Sequence, residues 1–134
     1  MGVLLDTNTV IFFTKGHPQV VARWERQRPQ DLHLSTLTVH ELLVGAESAE
    51  RPEPRRSIVT VLSRTLPVLD FTAADAACSA RIQAQLSAQG QRIGTVDVLL
   101  AGTALARGLT IVTNNTREFS RVPGLRVEDW TTLP

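Results

Sequence analysis

Short apolar runs alternate along the chain with longer segments whose apolar residues recur at helical spacing. The run at 109–113 is continuous and rich in β-branched residues, which is typical of a strand buried on both faces of a parallel sheet. The elements follow the order strand, helices, strand, helices, strand, helices, strand, which predicts a three-layer α/β fold with a central, mostly parallel sheet flanked by helices. Strands are predicted at 2–5, 32–36, 67–71, 109–113 and within 124–130. Helices are predicted at 7–14, at 18–28, from 73 to about 89 and at 95–107. Two more helices are predicted between the second and third strands, one that carries Glu41 and one that ends near Leu66.

Length and composition predict one globular domain that spans residues 1–134. The chain has 134 residues, 43% of them hydrophobic, and a mean hydropathy near zero, so it can bury a core but has no room for a second domain. Its apolar runs are far shorter than the roughly 20 residues that span a bilayer, and its first residues lack a signal-peptide pattern. We therefore expect a cytoplasmic protein without a membrane segment. Cys78 is the only cysteine, which excludes an intramolecular disulfide and a cysteine-based zinc site.

Four acidic residues stand among apolar neighbours in four separate segments: Asp6, Glu41, Asp97 and Glu118. A carboxylate in apolar surroundings is costly to desolvate and needs a cation, a hydrogen-bond donor or access to water. The carboxyl ends of parallel strands meet at one edge of a sheet, and all four acids follow a strand or lie near the start of a helix at that edge. They predict an oxygen-rich pocket suited to Mg²⁺ or Mn²⁺.

Each acid also has a simpler interpretation. Asp6 can cap the helix that begins beside it, and Asp97 can be an acid of a first helical turn favoured by the helix dipole. Glu41 can be a solvated helix position, and Glu118 can form a surface ion pair with Arg117. Other catalytic patterns are weaker, because HExxH, Walker A and GxGxxG motifs are absent from the sequence.

Five segments together carry a family resemblance. They are Leu-Asp-Thr-Asn at 5–8, Thr-Val-His-Glu-Leu-Leu-Val-Gly at 38–45, Ile-Gly-Thr-Val-Asp-Val-Leu-Leu-Ala at 93–101, Val-Thr-Asn-Asn-Thr-Arg-Glu-Phe at 112–119 and Pro-Gly-Leu-Arg-Val-Glu-Asp-Trp at 123–130. In this order and spacing the chain resembles the PIN-domain ribonucleases and, within them, the VapC toxins of VapBC toxin–antitoxin systems. The resemblance covers the chain nearly end to end.

The resemblance implies a single PIN domain with Mg²⁺- or Mn²⁺-dependent endoribonuclease activity. Asp6, Glu41 and Asp97 would be the central acids, with Asp6 and Asp97 as direct metal ligands. Many relatives carry an aspartate where Asn115 stands, which weakens the negative charge here, and Glu118 would compensate as a fourth catalytic acid. The residues expected to fix the scissile phosphate and the carboxylates by hydrogen bonds are Asn8, Thr113 and Asn115.

The resemblance also implies an RNA substrate, with tRNA as the first expectation, a VapB-type antitoxin and a homodimer. The antitoxin's C-terminal segment would enter a groove that includes the active site. Apolar positions that either line this groove or the dimer interface, or more simply belong to the core, are Val10, Phe13, Val20, Trp24, Val44 and Val59. Basic residues that either contact the RNA backbone or form an ordinary solvated surface are Arg51, Arg55, Arg56, Arg92 and Arg117.

Two alternatives to the toxin remain at this point. The first is a housekeeping PIN-domain nuclease that processes RNA. The second is a binding module of the same fold whose catalysis has decayed, which Asn115 in place of an acid would favour.

Overall fold

The computed structural model describes residues 2–133 and contains a five-stranded sheet flanked by helices. The strands are β1 (Val3–Leu5), β2 (Leu32–Ser35), β3 (Val68–Leu69), β4 (Thr110–Val112) and β5 (Val127–Glu128). The helices are α1 (Thr7–Thr14), α2 (Pro18–Glu25), α3 (Thr36–Glu47), α4 (Pro52–Thr65), α5 (Ala73–Ala88), α6 (Thr95–Arg107) and α7 (Thr116–Phe119), with a 3₁₀ turn at Pro29–Asp31.

All strand pairs of the sheet are parallel, in the order β3-β2-β1-β4-β5. The register sets Leu5 of β1 beside Val112 of β4, so these two central strands end at the same level. The mixed α/β architecture with a parallel central sheet confirms the predicted fold class. No helix of residues 2–133 is long and apolar enough to cross a membrane.

The core lies on both faces of the sheet because successive strand residues point to opposite sides. Val3 and Leu5 pack on one face, against residues of α1, α2 and α4. Leu4 and Ile111 pack on the other, against α5 and α6. Helices α5 and α6 approach closely at Gly102, where an added Cβ would lie 2.6 Å from the Cβ of Ser79.

The local signals at helix ends have the expected effects. The Thr72 hydroxyl accepts from the Asp75 amide at 3.3 Å, and the Asp75 carboxylate accepts from the Thr72 amide at 3.0 Å, which completes a capping box at the start of α5. Gly108 has a φ of 67° and ends α6 in the left-handed region.

Several predicted boundaries are wrong. Helix α2 ends at Glu25 rather than at 28, because the proline at 29 holds Arg28 in an extended conformation. Strand β2 ends at Ser35, whose side chain accepts from the Leu37 amide at 3.0 Å and caps α3. The strand predicted at 67–71 is only two residues long, and the short helix α7 was not predicted.

The apolar residues that were assigned either to a groove or to the core mostly belong to the core. Val10, Val20, Trp24 and Val59 are buried, and Phe13 stacks on Trp24 with 3.8 Å between ring centroids. Val44 does not belong to the core, because 51% of it is exposed on α3.

Candidate active site

The central strands β1 and β4 deliver the first residues of the site. Asp6 follows β1 directly, and its amide donates to the Val112 carbonyl at 3.0 Å, so the chain leaves β1 while still bonded to the end of β4. Thr113 follows Val112 and is fully buried. Asp6 and Thr113 therefore lie side by side at the carboxyl edge of the sheet, where the clefts of open parallel sheets occur.

Asp6 is both a helix cap and a buried acid. Its Oδ1 accepts from the Thr9 amide at 2.8 Å, which makes it the N-cap of α1. Only 5% of the residue is exposed. Burial raises the pKa of Asp6, hydrogen bonds from the Thr113 hydroxyl and the Thr9 amide oppose this rise, and the negative charge of Glu41 adds to it.

Asp97 lies half-buried in the first turn of α6 and is the electrostatic centre of the group. Burial raises its pKa to about 6, together with the negative charges of Glu118, Asp6 and Glu41. A Cβ added at Gly94 would lie 3.3 Å from Oδ2 of Asp97, so the turn before α6 sits directly against this carboxylate. The four acids predicted from the sequence therefore do converge.

Asn115 links two of these acids. Its Nδ2 donates to Oε2 of Glu118 at 2.5 Å and to Oδ2 of Asp97 at 3.3 Å. The backbone amide of Asn115 donates to the Thr113 hydroxyl at 2.9 Å, which fixes the turn between β4 and α7. Glu118 is partly buried, and no ion pair with Arg117 exists in the described part of the chain, so the interpretation of Glu118 as half of a surface pair is wrong.

Glu41 projects from α3 and is held by a residue that the sequence reasoning missed. The Thr7 hydroxyl donates a short hydrogen bond to Oε1 of Glu41 and so ties the first residue of α1 to α3. Thr9 was also missed: it is buried, and its hydroxyl donates to the Val112 carbonyl at 3.1 Å. The available signal was the presence of two threonines among the three residues that follow Asp6, in the first turn of a helix that begins at the sheet edge.

The donor set fits a divalent cation. Asp6, Glu41 and Glu118 are close enough to Asp97 for their charges to raise its pKa, and no arginine, lysine or histidine of residues 2–133 forms an ion pair with any of the four acids. Carboxylate oxygens are the ligands that Mg²⁺ and Mn²⁺ prefer. As they stand, no three acidic, histidine or cysteine side chains within this range are arranged to hold one ion, so binding requires the carboxylates to draw closer.

Two of the other predicted residues make no hydrogen bond or ion pair with the four acids within residues 2–133. Asn8 is exposed on α1, and its side chain makes no hydrogen bond to another described residue. Arg56 is engaged on the surface, where its Nε donates to Oε1 of Glu47 at 2.6 Å. The remaining candidates for RNA contact are exposed and form no ion pair within residues 2–133; they are Arg51, Arg55, Arg92 and Arg117.

An apolar groove leads away from Glu41 between α1, α3 and α4. A cavity of about 340 Å³ is lined by Val10, Leu42 and Ile58 and has Glu41, Lys15 and Arg55 among its polar residues. A second depression continues it along α4, past Phe13 and Val61. Ile58 and Val61 are exposed by 42% and 59%, which is unusual for large apolar side chains on one helix face.

Known proteins are similar to this chain in sequence and in fold. The family model described as "PIN domain" matches residues 3–125. A "tRNA(fMet)-specific endonuclease VapC" of Shigella flexneri is 42% identical over 127 residues, which cover 95% of this chain and 96% of that protein. The DNA-bound VapBC crystal structure from Salmonella typhimurium matches with a TM-score of 0.90 and 39% identity over 97% of this chain and 98% of that one. VapBC2 from Rickettsia felis, bound to a promoter DNA fragment, matches with a TM-score of 0.88 and 28% identity over 97% and 99%.

Proposed function

The chain belongs to the PIN-domain family, and we propose that it is the toxin of a VapBC pair, a Mg²⁺-dependent endoribonuclease that hydrolyses RNA phosphodiester bonds. The observation that carries this proposal is the mutual proximity of Asp6, Glu41, Asp97 and Glu118, none of which has an ion-pair partner within residues 2–133. Relatives named VapC that are 39–42% identical and called endonucleases or ribonucleases support the same activity.

Asp6 and Asp97 are the residues that would hold the metal. Both are at the sheet edge, and burial together with neighbouring negative charge raises the pKa of each, so a cation would relieve the repulsion between them. Bound Mg²⁺ or Mn²⁺ supplies positive charge that stabilises phosphate oxygens and favours ionisation of an attacking water.

The remaining side chains orient the reactants. Glu41, fixed by the Thr7 hydroxyl, faces the pocket from α3 and would hold the attacking water and accept its proton. Asn115 donates hydrogen bonds to both the Glu118 and Asp97 carboxylates and so offsets part of the repulsion between them. The Thr113 hydroxyl donates to Asp6 and accepts from the backbone amide of Asn115, so it fixes the positions of both residues. The product would be an RNA cut by water, without a covalent protein intermediate.

The RNA substrate is best taken as a folded RNA whose backbone contacts exposed arginines. Arg55 lines the groove next to Glu41, and Arg117 lies on α7 beside Glu118, so both are near the pocket. Phosphate contacts of this kind give affinity that falls with salt but carries no sequence information. The relative from Shigella flexneri is named as specific for tRNA(fMet), and we extend a tRNA substrate to this chain.

The apolar groove between α1, α3 and α4 is the proposed site for a VapB-type antitoxin. It begins at Glu41 and exposes Ile58 and Val61, so an amphipathic segment lying in it would cover apolar surface and block the catalytic pocket together. Solved relatives with matching folds are VapBC complexes. A homodimer belongs to the same proposal.

The test uses isosteric variants that separate charge from folding. Asp6→Asn keeps a helix cap, because asparagine is as good an N-cap as aspartate, and Asp97→Asn keeps the shape of α6. We expect each variant to lose RNA cleavage in Mg²⁺ by at least about 100-fold and to cease arresting growth, while Asp70→Asn, an exposed acid outside the site, retains both. If the wild-type protein binds RNA but cleaves none at any Mg²⁺ or Mn²⁺ concentration, the chain is a binding module and the proposal is wrong.

A further inference from the structure

A separate cavity of about 180 Å³ lies beside the candidate active site, between the last turns of α5 and the first turn of α6. Thr95 lines it, and Asp97 stands two residues further along the same helix. A Cβ at Gly94 would lie 3.3 Å from the Asp97 carboxylate, so the turn at 94–95 has the acid pocket on one side and this cavity on the other. The turn at 94–95 therefore separates the cavity from the Asp97 carboxylate.

The lining of the cavity combines an apolar surface with a polar edge. The apolar part consists of the partly exposed Ile93, with the core residues Leu86 and Val98 at the base of the cavity. The polar part offers an amide, two hydroxyls and a guanidinium, which together provide donors and acceptors; these groups belong to Gln83, Ser87, Thr95 and Arg92.

This chemistry matches one nucleobase. A base has apolar faces and a hydrogen-bonding edge, and proteins read extruded bases by stacking them on apolar or guanidinium surfaces while bonding their edges. The volume is below the roughly 300 Å³ at which sites for drug-sized ligands begin, so the occupant is small.

The walls of the cavity are fixed by the backbone. Gly90, with a φ of 65°, turns the chain after α5, and the Gln91 amide donates to the Leu86 carbonyl at 2.8 Å. The Arg92 carbonyl accepts from Nη1 of Arg121 at 3.0 Å, which joins the loop to the segment after α7. A preformed site binds without first having to order its own loop.

We propose that this cavity is a subsite for a single RNA base adjacent to the scissile phosphate and that it contributes to the choice of cleavage site. The role in choosing a cleavage site rests on the proposed RNA-cleaving function, but the binding of a base to the cavity can be measured without any cleavage.

The first experiment titrates the metal-free protein with AMP, GMP, CMP and UMP and, separately, with inorganic phosphate, and follows backbone amide signals by NMR. At least one nucleotide is expected to shift the amides of Ser87, Ile93 and Thr95, and Ser87→Leu, which fills the cavity, is expected to weaken this binding on the order of tenfold or more. Ala84→Leu adds the same side chain at an exposed position of α5 outside the cavity and serves as the control. Inorganic phosphate that reproduces the shifts, or four nucleotides that leave them unchanged, would overturn the proposal.

A second pair of variants tests the subsite without adding volume, so that misfolding of Ser87→Leu cannot decide the outcome. Gln83→Ala removes a hydrogen-bonding group without adding volume, and Gln85→Ala changes an exposed glutamine of the same helix that does not line the cavity. Only Gln83→Ala is expected to weaken nucleotide binding and to alter which base flanks the cut in RNA fragments. If both behave alike, the subsite is refuted. Nucleotide binding that depends on Gln83 in a protein without nuclease activity would instead refute the proposed function and leave the base site in place.

Discussion

Replacing Asp97 by asparagine should make the metal-free protein more stable while it abolishes the proposed activity. The pKa of Asp97 rises from its ordinary 3.8 to about 6, chiefly through burial and the charge of Glu118. The folded state therefore disfavours the ionised carboxylate near neutral pH. Asparagine removes the charge and keeps the shape, so the unfavourable free energy of ionised Asp97 disappears along with the proposed metal ligand.

The magnitude follows from the pKa. One pKa unit corresponds to about 1.4 kcal/mol, which sets an upper bound of about 3 kcal/mol for the penalty on ionised Asp97. The residue is only half-buried, and solvent screening lowers such terms, so we expect about 1–2 kcal/mol. In a chain of this size that is a rise of about 3–8 °C in Tm.

The pH dependence has a defined sign. The folded-state pKa of Asp97 lies above the unfolded value, so the folded protein binds the proton more tightly. The stabilisation that the folded protein gains from protonation of Asp97 is complete below about pH 4 and is lost as the pH rises through about 6. The metal-free wild type should therefore lose stability between these values, and Asp97→Asn should lose less.

Thermal unfolding in EDTA and in Mg²⁺, at several pH values, measures these effects. In Mg²⁺ the wild type should gain stability by mass action and Asp97→Asn should gain little. Asp70→Asn, an exposed acid, is the control for removing one charge. A variant at position 97 that is no more stable than wild type in EDTA at pH 7.5, with the same pH slope, would refute the electrostatic reasoning.

Two further changes test other parts of the structure. Asn115→Asp removes the amide that bridges two carboxylates and adds a negative charge, so calorimetry should show tighter Mn²⁺ binding while the Tm in EDTA falls; unchanged affinity would count against a role for this residue at the metal. Gly102→Ala places a Cβ 2.6 Å from that of Ser79 and should lower the free energy of unfolding by about 1–3 kcal/mol in urea denaturation. Gly45→Ala, with open space around it in a helix, should raise it by up to about 1 kcal/mol, and equal effects of the two alanines would contradict the packing argument.

Local signals explain which elements of the fold were predictable. Helices α1 and α6 have the predicted bounds because each is delimited by short-range features, the Asp6 cap in one and Gly108 in the other. Helix α2 ended earlier than predicted because no apolar residue follows Trp24 before Pro29, which holds Arg28 in an extended conformation. The strand order β3-β2-β1-β4-β5 depends on contacts between distant segments, which the sequence pattern did not specify.

The candidate site also has a part that local sequence signals predicted and a part that they did not. The position of Asp6 after a strand, and of Asp97 in a first helical turn, follows from chain direction in a parallel sheet. The hydrogen bond from Thr7 to Glu41 joins residues 34 positions apart, and the Asn115 side chain reaches Asp97 across 18. Such contacts require the relative placement of α1, α3, α6 and α7, which local propensity does not contain. The cavity beside α6 was not predicted for the same reason.

Asp6 shows why a structural and a functional interpretation of one residue need not compete. Its Oδ1 accepts from the Thr9 amide, yet a carboxylate has about four acceptor positions, so the cap leaves capacity for the Thr113 hydroxyl and for a cation. The hydrogen bonds from the Thr9 amide and the Thr113 hydroxyl also oppose the rise in the pKa of Asp6, although burial is the larger effect and the pKa stays raised. Because the start of α1 already fixes the Asp6 carboxyl group in the metal-free protein, the proposed metal binding would need little rearrangement of this side chain, which would reduce its free-energy cost.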